Sequence, residues 1–294
     1  MHILAATNFS TRSQRALRRA GQLAQVEGAE LAIVNVVDYN QPQHRVEMDM
    51  REAERILAEL TSSMPELREV QCCPLVVSGD PFDAILRTAA AQRADLIAMG
   101  AHRRQPLRDI FVGTTIERLI RTGPYPVLIV NNDVKAPYGT VLAPIDMSEP
   151  SANAIRVARA TGLMDEAHFT ILHAFLPLAN GMMFLAGLDR ARIDKYVSGE
   201  RQKVTEELAA FLVENDLGVP GSSLRVEEGG AFEVISGAVD KMRPDLLVIG
   251  TNGRSGMLNA LLGSVADEAL RSLNVDILAV PPVKQQHSVQ SLRG

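Results

Sequence analysis

The sequence has no tryptophan and few aromatic residues, which make up only 4% of its 294 positions. Proteins that bind single-stranded nucleic acids usually stack the bases on aromatic side chains. The chain also lacks an excess of positive charge, because it has 30 lysine and arginine residues against 35 aspartate and glutamate residues, which gives a net charge of −5. Since nucleic-acid-binding domains carry basic patches, we expect no nucleic-acid partner.

Cysteine is nearly absent and occurs only as the adjacent pair Cys72 and Cys73. Two cysteines do not form the disulfide framework of small secreted domains, so a reducing compartment is expected. No apolar run approaches the about 20 residues that cross a bilayer. The first residues also lack the apolar stretch of a secretory signal. We therefore expect a cytoplasmic protein without a membrane partner.

A repeat divides the chain into two similar halves. Residues 95–100 (DLIAMG) recur as residues 245–250 (DLLVIG) at an offset of 150, whereas residues 4–10 recur as 142–148 at an offset of 138. The second copy must therefore contain 12 extra residues, which we place within 174–229. A length of 294 residues is typical of two domains, so each copy is interpreted as one domain.

Each copy alternates short apolar runs with stretches of helical periodicity. The runs of the first copy lack strict polar alternation, which is typical of strands buried on both faces; they lie near residues 2–6, 31–37, 74–78, 95–99 and 126–130. Strands that alternate with helices predict a doubly wound parallel sheet. We therefore predict an α/β fold of two tandem, Rossmann-like domains, each with a five-stranded parallel sheet flanked by helices.

The domain boundary is placed at the linker Pro137-Tyr138-Gly139, which gives domains 1–137 and 138–294. The last apolar run of each copy, at 127–130 and 277–280, is expected at a sheet edge, and an exposed apolar edge invites pairing. The two halves are therefore predicted to pair as a pseudo-twofold dimer within one chain. Association of whole chains into a homodimer is left open.

Glycines follow the fourth strand of the second copy, at the edge where parallel sheets bind ligands. Gly250 and Gly253 come directly after this run, and Gly263-Ser264 open the next helix. Glycine lets the backbone approach a phosphate, and a helix N-terminus offers unpaired N–H groups. The pattern predicts an anion site. The alternative is that these glycines only turn the chain and cap the helix.

These residues resemble the universal stress protein family. The pattern Gly-x-x-Gly, nine residues, Gly-Ser after the fourth strand occurs together with Pro-Ile-Asp-Met-Ser at 144–148, and the resemblance covers nearly the whole chain twice. It implies an adenine nucleotide alpha hydrolase-like fold that binds ATP or AMP, with or without Mg²⁺. The implied site residues are Pro144, Ile145, Asp146, Ala174, Gly250, Gly253, Arg254, Gly263, Ser264 and Val265.

The resemblance also implies a role for each part of the site. Asp146 would contact the ribose or adenine region, and backbone at Ala174 would bracket the adenine. The three glycines and Ser264 would hold the phosphates, with Arg254 and Val265 close by. Asp146 has a structural alternative, which is to cap the helix that begins near Ser148.

The first copy departs from this pattern at two positions. Asn8 stands where the second copy has Asp146, and Arg103 stands where it has Gly253, although Gly113-Thr114 remains. A long side chain at residue 103 would obstruct the close backbone approach. We therefore expect the first copy not to bind ATP in the family's manner.

The family resemblance implies a nucleotide-binding regulatory protein of the stress response with unidentified protein partners. Two alternatives stay open: a slow ATPase or phosphotransferase, and a nucleotide-independent interaction scaffold. His173 is expected to be a packed or hydrogen-bonded strand residue. The methionine-rich segment 176–188 is expected to pack on the core or at an interface, in preference to forming a lid.

Overall fold

The computed structural model of the protein describes residues 1–101, 114–177, 189–218, 221–253 and 262–282. Within them the strands are β1 (His2–Thr7), β2 (Glu30–Val37), β3 (Cys72–Ser78), β4 (Leu96–Gly100), β5 (Val127–Val130), β6 (Thr140–Pro144), β7 (His168–Phe175), β8 (Ser223–Glu228), β9 (Leu246–Gly250) and β10 (Asp276–Val280). The helices are α1 (Thr11–Glu27), α2 (Gln43–Ser63), α3 (Pro81–Ala91), α4 (Thr115–Thr122), α5 (Glu149–Ala160), α6 (Arg190–Glu214), α7 (Ala231–Met242) and α8 (Ser264–Ser272).

The strands form one ten-stranded sheet in the order β3-β2-β1-β4-β5-β10-β9-β6-β7-β8. All neighbours within each half are parallel. The halves join through the antiparallel pair β5 and β10, in which Leu128 faces Leu278. The predicted α/β fold, with two doubly wound halves paired through their last strands, is confirmed. Pairing satisfies the backbone groups of two apolar edges that would otherwise be exposed.

Helices cover both faces of the sheet. Ala98 and Met99 of β4 belong to different core clusters, and both are buried. Leu17 of α1 packs on one face and Ile85 of α3 on the other. Each cluster runs through both halves of the chain. Burial on both faces explains why the strand sequences lack polar alternation.

The predicted helices are found, with one large difference in length. The periodicity predicts a helix over residues 51–60, whereas α2 spans Gln43–Ser63. Val46 is the only apolar residue of its first turn, and its N-cap, Pro42, makes no side-chain hydrogen bond, so no capping residue marks the start. No helix among the described residues combines the length and apolar composition of a membrane span.

The additional length of the second copy lies around α6. This helix has 25 residues, whereas α2 has 21. Residues 176–189 precede α6, whereas 38–42 precede α2. Residues 178–188 of the methionine-rich segment lie outside the described residues, and the first residue of the segment, Leu176, is exposed.

A buried polar cluster joins the two halves near the linker. Asp276, at the start of β10, is 1% exposed. It accepts hydrogen bonds from the backbone N–H groups of Asn131 and Asn132, at 2.8 and 3.0 Å, and from the hydroxyl of Tyr138 at 2.8 Å. The guanidinium of Arg19 stacks on the Tyr138 ring, 3.9 Å from its centroid, and its Nε lies 3.8 Å from Asp276 Oδ2.

This cluster ties three distant parts of the chain together: α1, the linker and the last strand. Burial raises the pKa of the Asp276 carboxyl, and its hydrogen bonds and the Arg19 charge oppose that shift. The linker is therefore packed into the structure, with Tyr138 only 5% exposed. We propose that the domain boundary lies at 137–138 within this packed junction.

Candidate functional site

A cavity of about 180 Å³ lies at the carboxyl ends of β6, β7 and β9 in the second half. The first and fourth strands of this half, β6 and β9, are neighbours here, so the strand order reverses at the cavity. Such a switch point is where open parallel sheets bind ligands. Nine of the ten predicted site residues line the cavity: Pro144, Ile145, Asp146, Ala174, Gly250, Gly253, Gly263, Ser264 and Val265. Arg254 lies outside the described residues.

Asp146 is part of the turn that joins β6 to α5. Its Oδ1 accepts hydrogen bonds from the backbone N–H and hydroxyl of Ser148, at 3.1 and 2.5 Å. Ser148 is the N-cap of α5, and its hydroxyl accepts from the N–H of Ser151. Asp146 thus supports the capping residue without being the cap. It also lines the cavity, so its structural and ligand-facing roles are compatible.

This turn contains a residue in the left-handed region of backbone conformation. Met147 has a φ of 58°, and Phe9 at the equivalent position of the first half has a φ of 62°. Such a conformation is uncommon for a large side chain. Both side chains pack against the core, which stabilises the turn. The two halves therefore enter their first helix by the same strained turn.

The N-terminus of α8 opens into the cavity. Its N-cap, Gly263, has no side chain to accept a hydrogen bond, and Ser264, Val265 and Ala266 of its first turn line the cavity. The equivalent helix α4 is capped by the Thr114 hydroxyl, which accepts from the N–H of Glu117. Helix N-termini without a side-chain cap present N–H groups to an anion. This feature distinguishes the second half from the first.

The three predicted phosphate glycines differ in what a side chain would meet. A β-carbon on Gly250 would lie 2.8 Å from the Pro150 carbonyl oxygen, so this glycine is required to pack β9 against α5. A β-carbon on Gly253 would lie 3.0 Å from Oδ2 of Asp146, whereas one on Gly263 would meet Thr251 at an ordinary 3.4 Å. Close packing of β9 on α5 therefore explains Gly250, whereas Gly253 is the glycine at which a β-carbon would crowd Asp146 at the cavity.

The packing role of Gly250 can be tested at the equivalent glycine of the first half. A β-carbon on Gly100, the equivalent of Gly250, would lie 2.3 Å from the carbonyl oxygen of Arg12. We expect Gly100→Ala to lower the free energy of unfolding by roughly 2 kcal/mol, because β4 and α1 must move apart. Urea denaturation measures this. The control is Gly237→Ala within α7, where the β-carbon meets nothing within 4 Å and helix propensity predicts a gain of about 0.5–1 kcal/mol. Equal stability of the two variants would contradict the prediction.

His173 is a buried strand residue with a defined hydrogen bond, as expected. It lies on β7, is 7% exposed and lines the cavity. Its Nδ1 is 2.7 Å from the backbone oxygen of Ile145. In the first half, Nδ2 of Asn35 donates to the backbone oxygen of Thr7 at 2.9 Å. The sequence shows a polar residue at the same position of the second apolar run in each copy. It does not predict that this residue bonds to the backbone at the end of the first strand.

Comparison with known proteins agrees with the repeated architecture. A family model described as the universal stress protein family matches residues 1–131 and again residues 137–281. The chain belongs to the universal stress protein family. It is 25% identical over 215 residues to universal stress protein E of Escherichia coli strain K12, covering 71% of this chain and 68% of that protein.

Two further matches, one of sequence and one of fold, extend over nearly the whole chain. The universal stress protein E homolog of Haemophilus influenzae is 24% identical over 308 aligned positions, covering 97% of this chain and 98% of that protein. A crystal structure of a universal stress protein from Archaeoglobus fulgidus DSM 4304 has a TM-score of 0.68 at 18% identity and covers 96% of this chain. The fold is thus shared over nearly the whole chain.

The first universal stress protein domain keeps a cavity at the equivalent position. Thr7, Asn8, Arg12 and Thr114 are among its lining residues. Oδ1 of Asn8 accepts from the N–H of Ser10 at 3.2 Å, as Asp146 does from Ser148. Asparagine therefore preserves the turn and removes the charge. The other two positions in this comparison, 103 and 113, lie outside the described residues.

Proposed function

We propose that the second universal stress protein domain binds an adenine nucleotide, ATP or AMP, and that the chain is a nucleotide-binding regulator of the stress response in the cytoplasm. The observation that carries this proposal is the convergence of four separate segments on one cavity. They are the end of β6, the end of β7, the glycine segment after β9 and the start of α8. Each supplies the kind of group that one part of a nucleotide requires.

The polar groups of the cavity suit the ribose and the phosphates. The carboxylate of Asp146 can accept hydrogen bonds from ribose hydroxyls. The N–H of Gly263 donates to the Thr251 oxygen at 2.7 Å, so the backbone N–H groups offered to phosphate oxygens are those of Ser264 and Val265 in the first turn of α8. The positive end of the helix dipole favours the phosphate charge. Gly253 allows the backbone to approach the ligand without a side chain between them. These groups match the two polar parts of a nucleotide.

The apolar groups of the cavity suit the base. Leu172 and Ala174 of β7 and Ile249 of β9 line the cavity together. A planar heterocycle can pack between such side chains, and small-molecule sites combine an apolar lining with a few polar groups in this way. The position of Ala174 at the end of β7 agrees with the role that the family resemblance implies for it.

We propose binding and regulation, with slow turnover at most. Fast phosphoryl transfer needs a metal-holding carboxylate, a positioned base and cationic clamps, whereas the predicted site consists mainly of backbone and one carboxylate. Among the described residues, no cluster of three or more His, Cys, Asp or Glu side chains is suited to a metal ion. A bound nucleotide regulates by favouring one conformation for which it has higher affinity, and protein partners would recognise that conformation.

The proposal is tested by the stoichiometry of ATP binding. Isothermal titration of the purified chain, after removal of any co-purified nucleotide identified by mass spectrometry, is expected to give one ATP per chain. We expect one site because only the second domain has aspartate and glycine at these two positions, where the first domain has Asn8 and Arg103. Asp146→Asn should weaken binding, whereas Asn8→Ala at the equivalent position of the first domain should leave it unchanged.

Three outcomes would contradict the proposal in different ways. No binding and no co-purified nucleotide would favour a nucleotide-independent scaffold. Two equivalent sites per chain would show that the first domain also binds. Steady-state turnover well above a few ATP per minute would favour an enzyme.

A further inference from the structure

One polar side chain in each domain joins the second strand to the end of the first. His173 does so in the second domain through Nδ1, 2.7 Å from the Ile145 oxygen. Asn35 does so in the first domain, where its Nδ2 donates to the Thr7 oxygen at 2.9 Å. Both side chains are buried, at 7% and 6% exposure. The same connection is therefore made twice, by chemically different residues.

The connection in the second domain fixes the peptide group that directly precedes Asp146. The N–H of Ile145 donates to the Leu172 oxygen at 2.8 Å, and its carbonyl oxygen accepts from His173. Both polar groups of Ile145 are thus held by β7. On the other side of Asp146 comes Met147, whose left-handed conformation turns the chain into α5.

Asp146 is consequently held from both ends. Its own carboxylate is bonded to Ser148, and its preceding peptide is bonded to β7. A strained turn persists only where the surrounding contacts hold it. Loss of the bond to His173 would leave a buried carbonyl without its partner, at a free-energy cost that favours relaxation of the turn. Asp146 would then shift relative to the cavity.

The hydrogen bond also defines the chemistry that residue 173 must supply. A backbone carbonyl only accepts, so Nδ1 of His173 carries a proton, and a neutral ring is fixed in the Nδ1–H tautomer. An apolar β-branched residue would satisfy the packing of a buried strand but would provide no donor. The amide of Asn35 shows that asparagine can supply the same donor in the same frame.

We infer that His173 is a positioning residue of the nucleotide site, which holds the Ile145 peptide so that Asp146 meets the ligand. This inference rests on the proposed function of the second domain. His173 acts through Asp146, and the two residues should therefore be energetically coupled in nucleotide binding.

The test compares three variants of the full chain by ATP titration and by the melting temperature of the nucleotide-free protein. His173→Leu removes the donor and is expected to weaken ATP binding roughly tenfold, the effect of losing about one hydrogen bond. His173→Asn restores the donor that Asn35 provides and should bind within about threefold of wild type. Asn35→Leu removes the matching bond in the first domain. It should lower the melting temperature and leave ATP affinity unchanged.

A double-mutant cycle separates positioning from simple structural support. In a chain that already carries Asp146→Asn, the further change His173→Leu should cost no additional affinity, since the group that it positions is gone. Full affinity in His173→Leu alone, or equal losses in both backgrounds, would overturn the inference. Failure of His173→Asn to restore binding would also overturn it.

The experiment distinguishes failure of the proposed function from failure of this inference. Absence of ATP binding in the wild-type chain refutes the proposed function itself, whereas wild-type binding with an unaffected His173→Leu refutes only this inference. If His173→Leu does not fold, His173→Gln takes its place, because it keeps a donor and displaces it by one methylene group. Wild-type affinity in His173→Gln would then contradict the positioning role.

Discussion

Replacing Asp276 with alanine is expected to lower the free energy of unfolding by about 3–5 kcal/mol, the cost of breaking a buried charged network by removing one partner. The change leaves the N–H groups of Asn131 and Asn132 and the Tyr138 hydroxyl without their acceptor. It also removes the carboxylate nearest to the buried guanidinium of Arg19. The loss is measured by urea denaturation followed by circular dichroism.

The size of this effect depends on burial. Arg19 is 4% exposed and its Nε has no hydrogen-bond partner among the described residues. Without Asp276 this buried positive charge would have lost its carboxylate, and an uncompensated buried charge is strongly destabilising. Hydrogen bonds from Arg19 to Gln22 and to the Ala136 oxygen would remain, but both acceptors are neutral.

The matched control is a more exposed ion pair between the same helix and the segment that follows β5. Arg15 Nε lies 2.6 Å from Asp133, whose side chain is 70% exposed. Asp133→Ala is expected to cost less than about 1 kcal/mol, as for most exposed pairs. Similar losses for Asp276→Ala and Asp133→Ala would show that the buried cluster does not stabilise the junction.

The fold was largely predictable because the signal is local and occurs twice. The apolar runs gave the strands, and two copies ending in apolar strands predicted the pairing of β5 with β10. The junction cluster was not predicted, since Arg19 and Asp276 are far apart in the sequence and are brought together only by packing. A single aspartate before an apolar run gives no sign of such distant partners.

The candidate site was predictable to the extent that it is made of short motifs. Nine proposed residues lie around one cavity because the ends of parallel strands meet at one edge of a sheet. The separate roles of the glycines could not be predicted from the sequence, since they follow from different contacts, of Gly250 with Pro150 and of Gly253 with Asp146. The part of His173 in holding Ile145 likewise depends on the register of β6 and β7.

Combining Asp146→Asn with Gly253→Arg is expected to abolish ATP binding, with a loss of at least about 100-fold, or roughly 2.7 kcal/mol. The pair reproduces the first domain, which has Asn8 and Arg103. The first change removes the carboxylate that would accept from ribose hydroxyls. The second adds a side chain whose β-carbon would lie 3.0 Å from the residue 146 carboxylate oxygen in the present structure. Isothermal titration of the intact chain measures the loss.

The two single variants show whether these changes act on one site. Asp146→Asn keeps the turn, because an amide oxygen can accept from Ser148 as Asn8 does from Ser10, so its melting temperature should stay near wild type while affinity falls. Gly253→Arg should obstruct the backbone approach with Asp146 still present. Binding that persists within threefold in the double variant would place the nucleotide elsewhere.

The reciprocal exchange tests whether the same two positions are sufficient to give the first domain an ATP site. Asn8→Asp with Arg103→Gly gives the first domain the residues of the second, and the turn at Phe9 already matches the turn at Met147. A second ATP per chain would show that these positions decide which domain binds. The exchange leaves a difference at the start of the helix, because the Thr114 hydroxyl still caps α4 and accepts from the Glu117 N–H, whereas Gly263, the N-cap of α8, has no side chain to do so. A chain that still binds one ATP after the exchange, and gains a second only when Thr114 is also replaced by serine, its counterpart at residue 264, would show that the start of the helix is an independent requirement for the phosphates.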